Sequence, residues 1–164
     1  MEQEQGFLGI PLSIVKKDAE FYLVDSLNKR INFLNEVKNK LNLKNTQNLH
    51  CRAEEFGQNK VYREEFDIAV SRAVANLSTL LEYLLPLIKI GGKVICMKGS
   101  NIDEELIEAK FAINELGGKI TEKEEFVLPK TDMKRTIIII KKIKNTPLKY
   151  PRKAGTPAKQ PLIK

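Results

Sequence analysis

Residues 20–41 read EFYLVDSLNKRINFLNEVKNKL, and this stretch decides the fold class. Its start, Glu20–Val24, is rich in β-forming residues and ends at Asp25. From Asn28 to about Lys40, apolar residues recur at three- and four-residue spacing, which predicts an amphipathic helix. A short strand that leads directly into a helix is typical of the strand–helix–strand units that build parallel sheets.

The same alternation continues through the rest of the chain. Gly6–Leu12 is predicted to be the second half of a glycine-rich loop that enters a helix. Asn48–Cys51 is a weak strand candidate, and Phe66–Val70 is predicted to be a strand. A helix follows at Leu77–Ile88, which Pro86 ends or bends, and Gly91–Gly92 form a turn into a strand at Lys93–Met97. The pattern then predicts a helix at Ile102–Leu116 and an antiparallel pair of strands at Lys119–Val127 and Arg135–Lys142. The fold class is therefore α/β, with a mostly parallel twisted sheet and an antiparallel final strand.

The charge is concentrated in the last part of the chain. The 164 residues include 28 Lys or Arg and 21 Asp or Glu, a formal net charge of +7. Residues 133–164 hold 10 of the basic residues and no acidic one. A local cationic segment favours a polyanionic partner, either nucleic acid or an anionic membrane. Four of the seven prolines fall within residues 145–164, so we expect this tail to be extended.

Several classes of protein are excluded. No apolar run approaches the roughly 20 residues of a membrane-spanning helix. The polar and acidic start, Met1–Gln5, is unlike a signal peptide. The two cysteines, Cys51 and Cys96, are too few for a disulfide scaffold, lack metal-ligand spacing, and are expected to be buried free thiols. We therefore expect a cytoplasmic protein with no metal site.

Functional residues are expected in the loops that follow the strands, because ligands of open α/β sheets bind outside the carboxyl ends of the strands. The first residues of these loops are Asp25–Ser26, Arg52–Glu54, Ser71–Arg72 and Lys98–Gly99, and we expect them to converge. The Asp25 carboxylate can accept hydrogen bonds from the two hydroxyls of a ribose. It can equally serve as a helix N-cap or N-terminal anion, and the sequence leaves both interpretations open.

Two cations at strand ends and the basic tail are also open to two interpretations. Arg72, after a strand expected to be buried, is either a phosphate or carboxylate clamp or part of a surface ion pair. Lys98 is either a ligand-binding group or a solvated loop charge. The segment Tyr150–Lys159 either lies along phosphates, with Tyr150 stacked on a base, or is a solvated tail. With His50 as the only histidine, we predict no catalytic acid–base pair and no catalytic residue.

Five ordered blocks resemble those of a known family. They are GFLGIPL at 6–12, LVDSLNKR at 23–30, RAEEF at 52–56, SRAVA at 71–75 and YPRKAGTPAK at 150–159. In this order they resemble the RsmG (GidB) family of bacterial small-subunit ribosomal RNA methyltransferases. The resemblance covers the chain from Gly6 onward, and the five blocks together are more specific than any one of them.

The resemblance implies a Rossmann-like fold and transfer of a methyl group from S-adenosylmethionine to N7 of a guanosine in 16S small-subunit rRNA. With Asp25 added from our interpretation of the first strand, the predicted cofactor-binding residues are Gly6, Phe7, Asp25, Ala53, Glu54 and Arg72. The predicted RNA-binding residues are Lys98, Arg135, Tyr150, Arg152, Lys153 and Lys159. The expected partner is 16S rRNA or the small ribosomal subunit, and we expect a monomer that binds neither a membrane nor a metal.

The absence of a catalytic dyad agrees with this chemistry. Guanine N7 carries a free lone pair at neutral pH, so no general base has to remove a proton. Catalysis then depends on proximity and orientation of an already activated methyl group. We therefore expect single substitutions to act mainly through binding.

The chain departs from the family at its start. Family members carry a helical region, a first strand and the early glycines of the cofactor loop before Gly6, and Leu8 stands where they usually have proline. The missing strand would be central, between the strands that end at Asp25 and Val70. We therefore expect residues 1–144 to form a methyltransferase domain that is incomplete at its N-terminus, and residues 145–164 to form a basic, proline-rich tail.

Two further functions remain open at this point. One is a truncated, catalytically inactive remnant that keeps RNA binding through its basic tail. The other is a nucleotide-binding oxidoreductase, which would bind a nicotinamide cofactor and would leave the tail unexplained.

Overall fold

The computed structural model describes residues 5–72, 75–100 and 102–163, with side chains from residue 8 onward. These residues form two compact units, one up to Ala53 and one from Glu54 onward. The elements of the first unit are helix α1 (Gln5–Val15), strand β1 (Phe21–Asp25), helix α2 (Asn28–Lys40) and strand β2 (Thr46–His50). Helix α3 (Ala53–Gln58) begins at the boundary between the units.

In the first unit, β1 and β2 form a parallel two-stranded sheet. The register runs from Phe21 opposite Thr46 to Asp25 opposite His50. Helix α2 packs its apolar residues against β1, and the buried core consists of Leu23, Ile31 and Leu34. The strand and the helix predicted for residues 20–41 are therefore confirmed, and the weak strand candidate at Asn48–Cys51 is observed as β2, at Thr46–His50.

The glycines at positions 6 and 9 lie in helix α1 rather than in a loop. A Cβ atom built on Gly9 would clash with Leu23 Cδ2. The absence of a side chain at this position lets the helix lie directly against β1. The prediction of a loop over Gly6–Leu12 is therefore wrong, and at Gly9 the glycine serves close helix–strand packing.

The second unit contains a four-stranded mixed sheet. Its elements after α3 are strand β3 (Phe66–Arg72), helix α4 (Leu77–Leu84) with a 3₁₀ turn (Leu85–Leu87), strand β4 (Ile88–Lys98), helix α5 (Asp103–Glu115), strands β5 (Gly118–Val127) and β6 (Lys134–Lys142), and helix α6 (Thr156–Lys159). The strand order is β3-β4-β6-β5, with β3 and β4 parallel and β6 antiparallel to both of its neighbours. The α/β class and the antiparallel final strand are confirmed.

One face of this sheet carries the core of the second unit. Val94 and Cys96 of β4 and Ile138 and Ile140 of β6 are each fully buried. The same core contains buried residues of the covering helices: Leu77, Leu80 and Leu81 of α4, and Ala109, Ala112 and Ile113 of α5. Burial raises the pKa of the Cys96 thiol to about 12, as expected for a structural cysteine. Cys51, also a free thiol, is only partly buried.

The edges of the strands differ from the sequence-based expectation in two places. Gly91 and Gly92 lie inside a longer β4 instead of forming a turn, and Gly91 has a φ of +90° that glycine accommodates easily. Ile68 of β3 is 54% exposed although an apolar strand was expected to be buried. The reason is that β3 is an edge strand, paired only with β4 among the described residues.

The C-terminal segment, residues 145–163, packs on the second unit. Tyr150, Pro157 and Leu162 are buried, and Thr156–Lys159 form the short helix α6. This four-residue helix departs from the expected extended form, and apolar side chains between the lysines anchor the segment. Across the described ranges, no helix combines the length and apolar character needed to span a membrane.

Candidate functional site

In the first unit, the loops that follow β1 and β2 lie side by side. The backbone N–H of Cys51 donates to the carbonyl oxygen of Asp25 at 3.2 Å. The His50 Nε2 atom lies 3.0 Å from the carbonyl oxygen of Ser26. The single histidine therefore joins two strand ends and has a structural contact there. The carboxyl ends of these parallel strands meet as the fold class predicts.

The Asp25 side chain sits at this edge and is only 4% exposed. Its Oδ1 atom accepts the backbone N–H of Leu27 at 2.8 Å, and its Oδ2 atom lies 3.2 Å from Arg30 Nη1. These contacts place an anion just before α2, which is the N-terminal-anion interpretation, whereas the N-cap residue itself is Leu27, without a side-chain cap. A carboxylate offers about four lone-pair positions, so two contacts leave acceptor capacity for further donors.

Ala53 and Glu54 form the first residues of α3, directly after the loop that follows β2. Glu54 is 7% exposed, and its Oε1 atom accepts the backbone N–H of Gly155 at 2.8 Å. Gly155 has a φ of +80°, in the region that favours glycine. The side chain of Glu54 thus binds the C-terminal segment, a contact across 101 residues that sequence reasoning missed.

Two of the sequence blocks fall partly outside the described residues. Gly6 and Phe7 lie in the backbone of α1, but their side-chain environment is outside the part of the chain that the structure describes. Ala73 and Val74 of the SRAVA block are also outside it. The predicted cofactor contacts of Gly6 and Phe7 therefore stay predictions.

In the second unit, Arg72 and Lys98 end the adjacent parallel strands β3 and β4. Arg72 pairs with Met97 in the register, and its side chain is exposed at the edge of the sheet. Lys98 is 8% exposed, and its Nζ atom donates to the carbonyl oxygen of Ala75 at 2.7 Å. The same Nζ atom lies 2.6 Å from Glu105 Oε1 of α5.

Glu105 completes a small network around the loop that follows β3. Its carboxylate also accepts the backbone N–H of Leu77, at the start of α4. Asn76 caps the same helix by accepting the N–H of Ser78 at 2.9 Å. Lys98 and Glu105 therefore hold residues 75–77 in place. The ammonium group that the sequence suggested for RNA is turned inward to position this loop.

The C-terminal segment is held by a buried ion pair that sequence reasoning missed. Glu82 of α4 is fully buried and accepts the backbone N–H of Arg152 at 2.8 Å. The Arg152 guanidinium forms a bidentate contact with it, through Nε at 2.9 Å and Nη2 at 2.7 Å. These hydrogen bonds raise the pKa of Arg152 further above its usual value. The only sequence signal for this role was an acid in an otherwise apolar helical run.

Tyr150, predicted to stack on a base, is 5% exposed. Its hydroxyl lies 3.3 Å from Glu115 Oε1. The guanidinium of Arg63 donates to the Tyr150 carbonyl oxygen at 2.7 Å and to the Thr146 carbonyl oxygen at 2.8 Å. The tyrosine is therefore part of the packing that fixes the segment, whereas Lys153 and Lys159 on either side of Gly155 are exposed to solvent.

A buried lysine secures the beginning of the same segment. Lys142 is fully buried, and its Nζ atom donates to Leu85 O at 2.6 Å and to Thr146 Oγ1 at 2.5 Å. Glu64 Oε1 lies 3.2 Å from the same Nζ atom. Desolvation lowers the pKa of Lys142 to about 8, although Glu64 opposes the shift.

Among the residues that the structure describes, no group of three or more His, Cys, Asp or Glu side chains could hold a metal ion. Arg135, the remaining predicted RNA contact, is half-buried on β6, where its Nη1 atom donates to the Lys134 carbonyl oxygen at 3.0 Å.

Comparison with known proteins agrees with the sequence blocks. The family model for rRNA small subunit methyltransferase G matches residues 5–137. Proteins named ribosomal RNA small subunit methyltransferase G are 52% identical in Clostridium novyi (strain NT), over 96% of this chain and 65% of the relative, and 55% identical in Lachnoclostridium phytofermentans, over 97% and 66%. The chain thus spans about two thirds of the length of the curated relatives it matches.

Solved structures with a similar fold have low sequence identity to this chain. TYW2 of M. jannaschii, solved in complex with AdoMet, has a TM-score of 0.61 and 16% identity, over 82% of this chain and 63% of that one. An rRNA methylase from Streptococcus thermophilus has a TM-score of 0.56 and 15% identity, over 76% and 74%. The Rossmann-like methyltransferase fold is therefore confirmed.

Proposed function

The chain belongs to the rRNA small subunit methyltransferase G family, and from this premise we propose that it transfers a methyl group from S-adenosylmethionine to N7 of a guanosine in 16S small-subunit rRNA. The observation that carries the proposal is sequence identity above 50%, over nearly all of this chain, to relatives that bear that name. Structural similarity to a protein solved in complex with AdoMet supports the cofactor.

The proposed cofactor contacts are those at the carboxyl ends of the strands. Asp25 offers a buried carboxylate with acceptor capacity beyond its contacts to Leu27 and Arg30, which suits the two hydroxyls of a ribose. Gly6, Phe7, Ala53, Glu54 and Arg72 are the other proposed cofactor contacts, each carried over from a family motif. S-adenosylmethionine supplies a methyl group that its sulfonium already activates.

Methyl transfer requires the chain to orient the methyl donor and the guanosine. Since guanine N7 presents a lone pair, no residue has to accept a proton before transfer. Lys98 and Glu105 contribute by fixing residues 75–77, the loop that continues from Arg72 toward α4. In this proposal they are positioning residues, because a loop displaced by about 1 Å can lower the rate by roughly 100-fold.

The proposed RNA contacts are the cations that face solvent. Lys153 and Lys159 are exposed on the C-terminal segment, and Arg135 is partly exposed on β6. Arg152 and Tyr150 support them by holding the segment in place. Within this proposal the protein acts as a monomer in the cytoplasm, where its substrate, the small ribosomal subunit, is found.

Calorimetric titration with S-adenosylhomocysteine tests the cofactor. We expect the full chain to bind it, and Asp25→Asn to weaken binding by about tenfold because a charge-assisted hydrogen bond is lost. Asp18→Asn, which changes an exposed aspartate of the same unit, is the control and should bind like wild type. No binding heat from the wild type would overturn the enzyme proposal and favour the inactive RNA-binding remnant.

A second measurement tests the reaction itself. Small-subunit rRNA from cells that lack the enzyme is incubated with the chain and S-adenosylmethionine that carries a labelled methyl group. The rRNA should gain the label, and the product should be 7-methylguanosine. Binding of a nicotinamide cofactor without methyl transfer would instead favour the oxidoreductase.

A further inference from the structure

The end of the β5–β6 hairpin lies at the same edge of the sheet as Arg72. Lys98, the last residue of β4, pairs with Thr136 of β6. β6 begins two residues earlier at Lys134, which pairs with Val127 of β5. At about 3.3 Å per residue, this pair lies roughly 7 Å beyond the end of β4. Residues 126–135, here called the hairpin end, therefore extend past the edge at which open α/β sheets bind ligands.

The turn of the hairpin end is held by its own hydrogen bonds. The backbone N–H of Leu128 donates to the carbonyl oxygen of Met133 at 2.9 Å. The N–H of Thr131 donates to the Leu128 carbonyl oxygen at 3.1 Å, and its hydroxyl donates to the same oxygen at 2.9 Å. Because the backbone is satisfied locally, the shape of the turn does not depend on its outward side chains.

Those outward side chains combine apolar and cationic groups. Phe126 is 38% exposed, Val127 51% and Met133 48%. Lys130 and Lys134 are also exposed, Lys134 opposite Val127 in the register, and Asp132 is the only acidic residue of the hairpin end. An exposed aromatic ring among cations matches the requirements of unpaired RNA, whose bases stack on rings and whose phosphates attract ammonium groups.

We propose that the hairpin end is an RNA-binding surface, in which Phe126 stacks on an unpaired base and Lys130 and Lys134 bind backbone phosphates near the target nucleotide. This inference rests on the proposed function, since it takes small-subunit rRNA as the substrate. The location of the hairpin end beyond Arg72 and Lys98 is what directs it to the substrate.

The opposite end of the same two strands offers a matched control. Lys119 of β5 pairs with Lys141 of β6, and both side chains are exposed. Lys141 also pairs with Lys93, five residues before the carboxyl end of β4, so these two lysines lie away from the edge that the hairpin end extends past. They carry the same charge as Lys130 and Lys134 on the same strands.

The first test compares the salt dependence of RNA binding by two double variants. The probe is 16S rRNA transcribed in vitro, and binding to the full-length chain is followed between 50 and 200 mM salt, the range in which counterion release is usually measured. Each phosphate contact with single-stranded RNA contributes about 0.7 to the log–log slope. Lys130→Gln with Lys134→Gln should lower the slope by about 1.4, and Lys119→Gln with Lys141→Gln should leave it unchanged.

The second test concerns the ring. Phe126→Leu keeps the apolar character but removes the flat π-face, and should weaken binding to the same transcript by about tenfold. Phe126→Tyr keeps the ring and should bind like wild type.

Three outcomes would overturn the inference. The first is an unchanged salt slope for Lys130→Gln with Lys134→Gln. The second is an equal decrease of the slope for both double variants. The third is that the hairpin double variant loses binding to intact small subunits but still binds the naked transcript. The last result would assign the surface to a ribosomal protein. S-adenosylhomocysteine titration of the same samples keeps the proposals apart, because failure of the wild type to bind it counts against the methyltransferase and not against the hairpin end.

Discussion

The two basic regions of the second unit, the C-terminal segment and the hairpin end, use their cations in opposite ways. In the C-terminal segment, the Arg152 guanidinium is bound to a fully buried carboxylate. In the hairpin end, Lys130 and Lys134 are exposed. Both regions fall within or next to the stretch that gives the chain its positive charge. A count of cations therefore overstates the charge offered to a polyanion.

The difference follows from what each cation has to neutralise. Glu82 is fully buried in α4, and an unpaired buried carboxylate is costly in free energy. Arg152 removes that cost through a bidentate contact and a backbone hydrogen bond to the same carboxylate. The hairpin end contains no buried carboxylate, so its ammonium groups stay in water and can bind phosphates.

The largest expected effect comes from breaking this buried pair. Arg152→Ala leaves Glu82 without its partner and should lower the free energy of unfolding by about 3–5 kcal/mol. Lys153→Ala, at the neighbouring exposed position, should change it by less than about 0.5 kcal/mol. Urea denaturation of the two variants gives the comparison. Equal stability of both would show that the ion pair does not anchor the segment.

The same ion pair explains why the helices and strands could be predicted from the sequence, whereas the contacts that hold the C-terminal segment could not. Helix α2 was predicted over its full observed range because its apolar spacing is a local signal. The partners Arg152 and Glu82 are 70 residues apart, and Glu54 and Gly155 are 101 apart. No local pattern marks such pairs. Side chains that were interpreted as ligand contacts, such as Tyr150 and Lys98, are instead partners in folding.

The strand ends show where local signals were sufficient for the candidate site. Asp25 and Arg72 were predicted at the carboxyl ends of strands because apolar runs stop there, and both lie there. The β4 strand begins at Ile88, earlier than predicted, because the glycine pair that suggested a turn is accommodated inside the strand. The register with β3 shifts between the pairs Phe66–Ile88 and Ile68–Lys93, so the two glycines lie at an irregularity of the strand.

A second prediction compares the buried Lys98 with an exposed lysine of helix α5. Lys98→Met frees the Ala75 carbonyl oxygen and Glu105, and should lower kcat/KM for methyl transfer by roughly 10–100-fold through misplacement of the loop. It should leave the salt slope of RNA binding unchanged, because the ammonium group is buried. Lys110→Met, at an exposed position on α5, is the control. A reduced salt slope of RNA binding for Lys98→Met would instead indicate that Lys98 contacts RNA.

A third prediction uses pH to separate a buried lysine from an exposed one. Burial lowers the pKa of Lys142 from 10.5 to about 8, so between these values the unfolded chain holds the proton more tightly than the folded chain. Stability therefore rises with pH across this window. The free energy of unfolding of the wild type, relative to Lys142→Met, should increase by about 1 kcal/mol or more from pH 8 to 10.

Lys134→Met provides the control for this pH series, because the Lys134 side chain is exposed to solvent. Its stability relative to the wild type should not change over the same range. Urea denaturation at each pH measures all three proteins. Parallel profiles for the wild type and Lys142→Met would contradict the desolvation of Lys142.

The smallest effect is expected for the two exposed lysines of the C-terminal segment. Deletion of residues 145–164 would also remove the buried Tyr150 and the Arg152 partner of Glu82, so it would confuse loss of folding with loss of RNA contacts. Lys153→Gln with Lys159→Gln avoids this, because both side chains face solvent. The double variant should keep the stability of the wild type and lower the salt slope of RNA binding by about 1.4, a few-fold in affinity at moderate salt. A stable variant with an unchanged slope would leave the segment as an anchored structural element and the hairpin end as the cationic surface that RNA contacts.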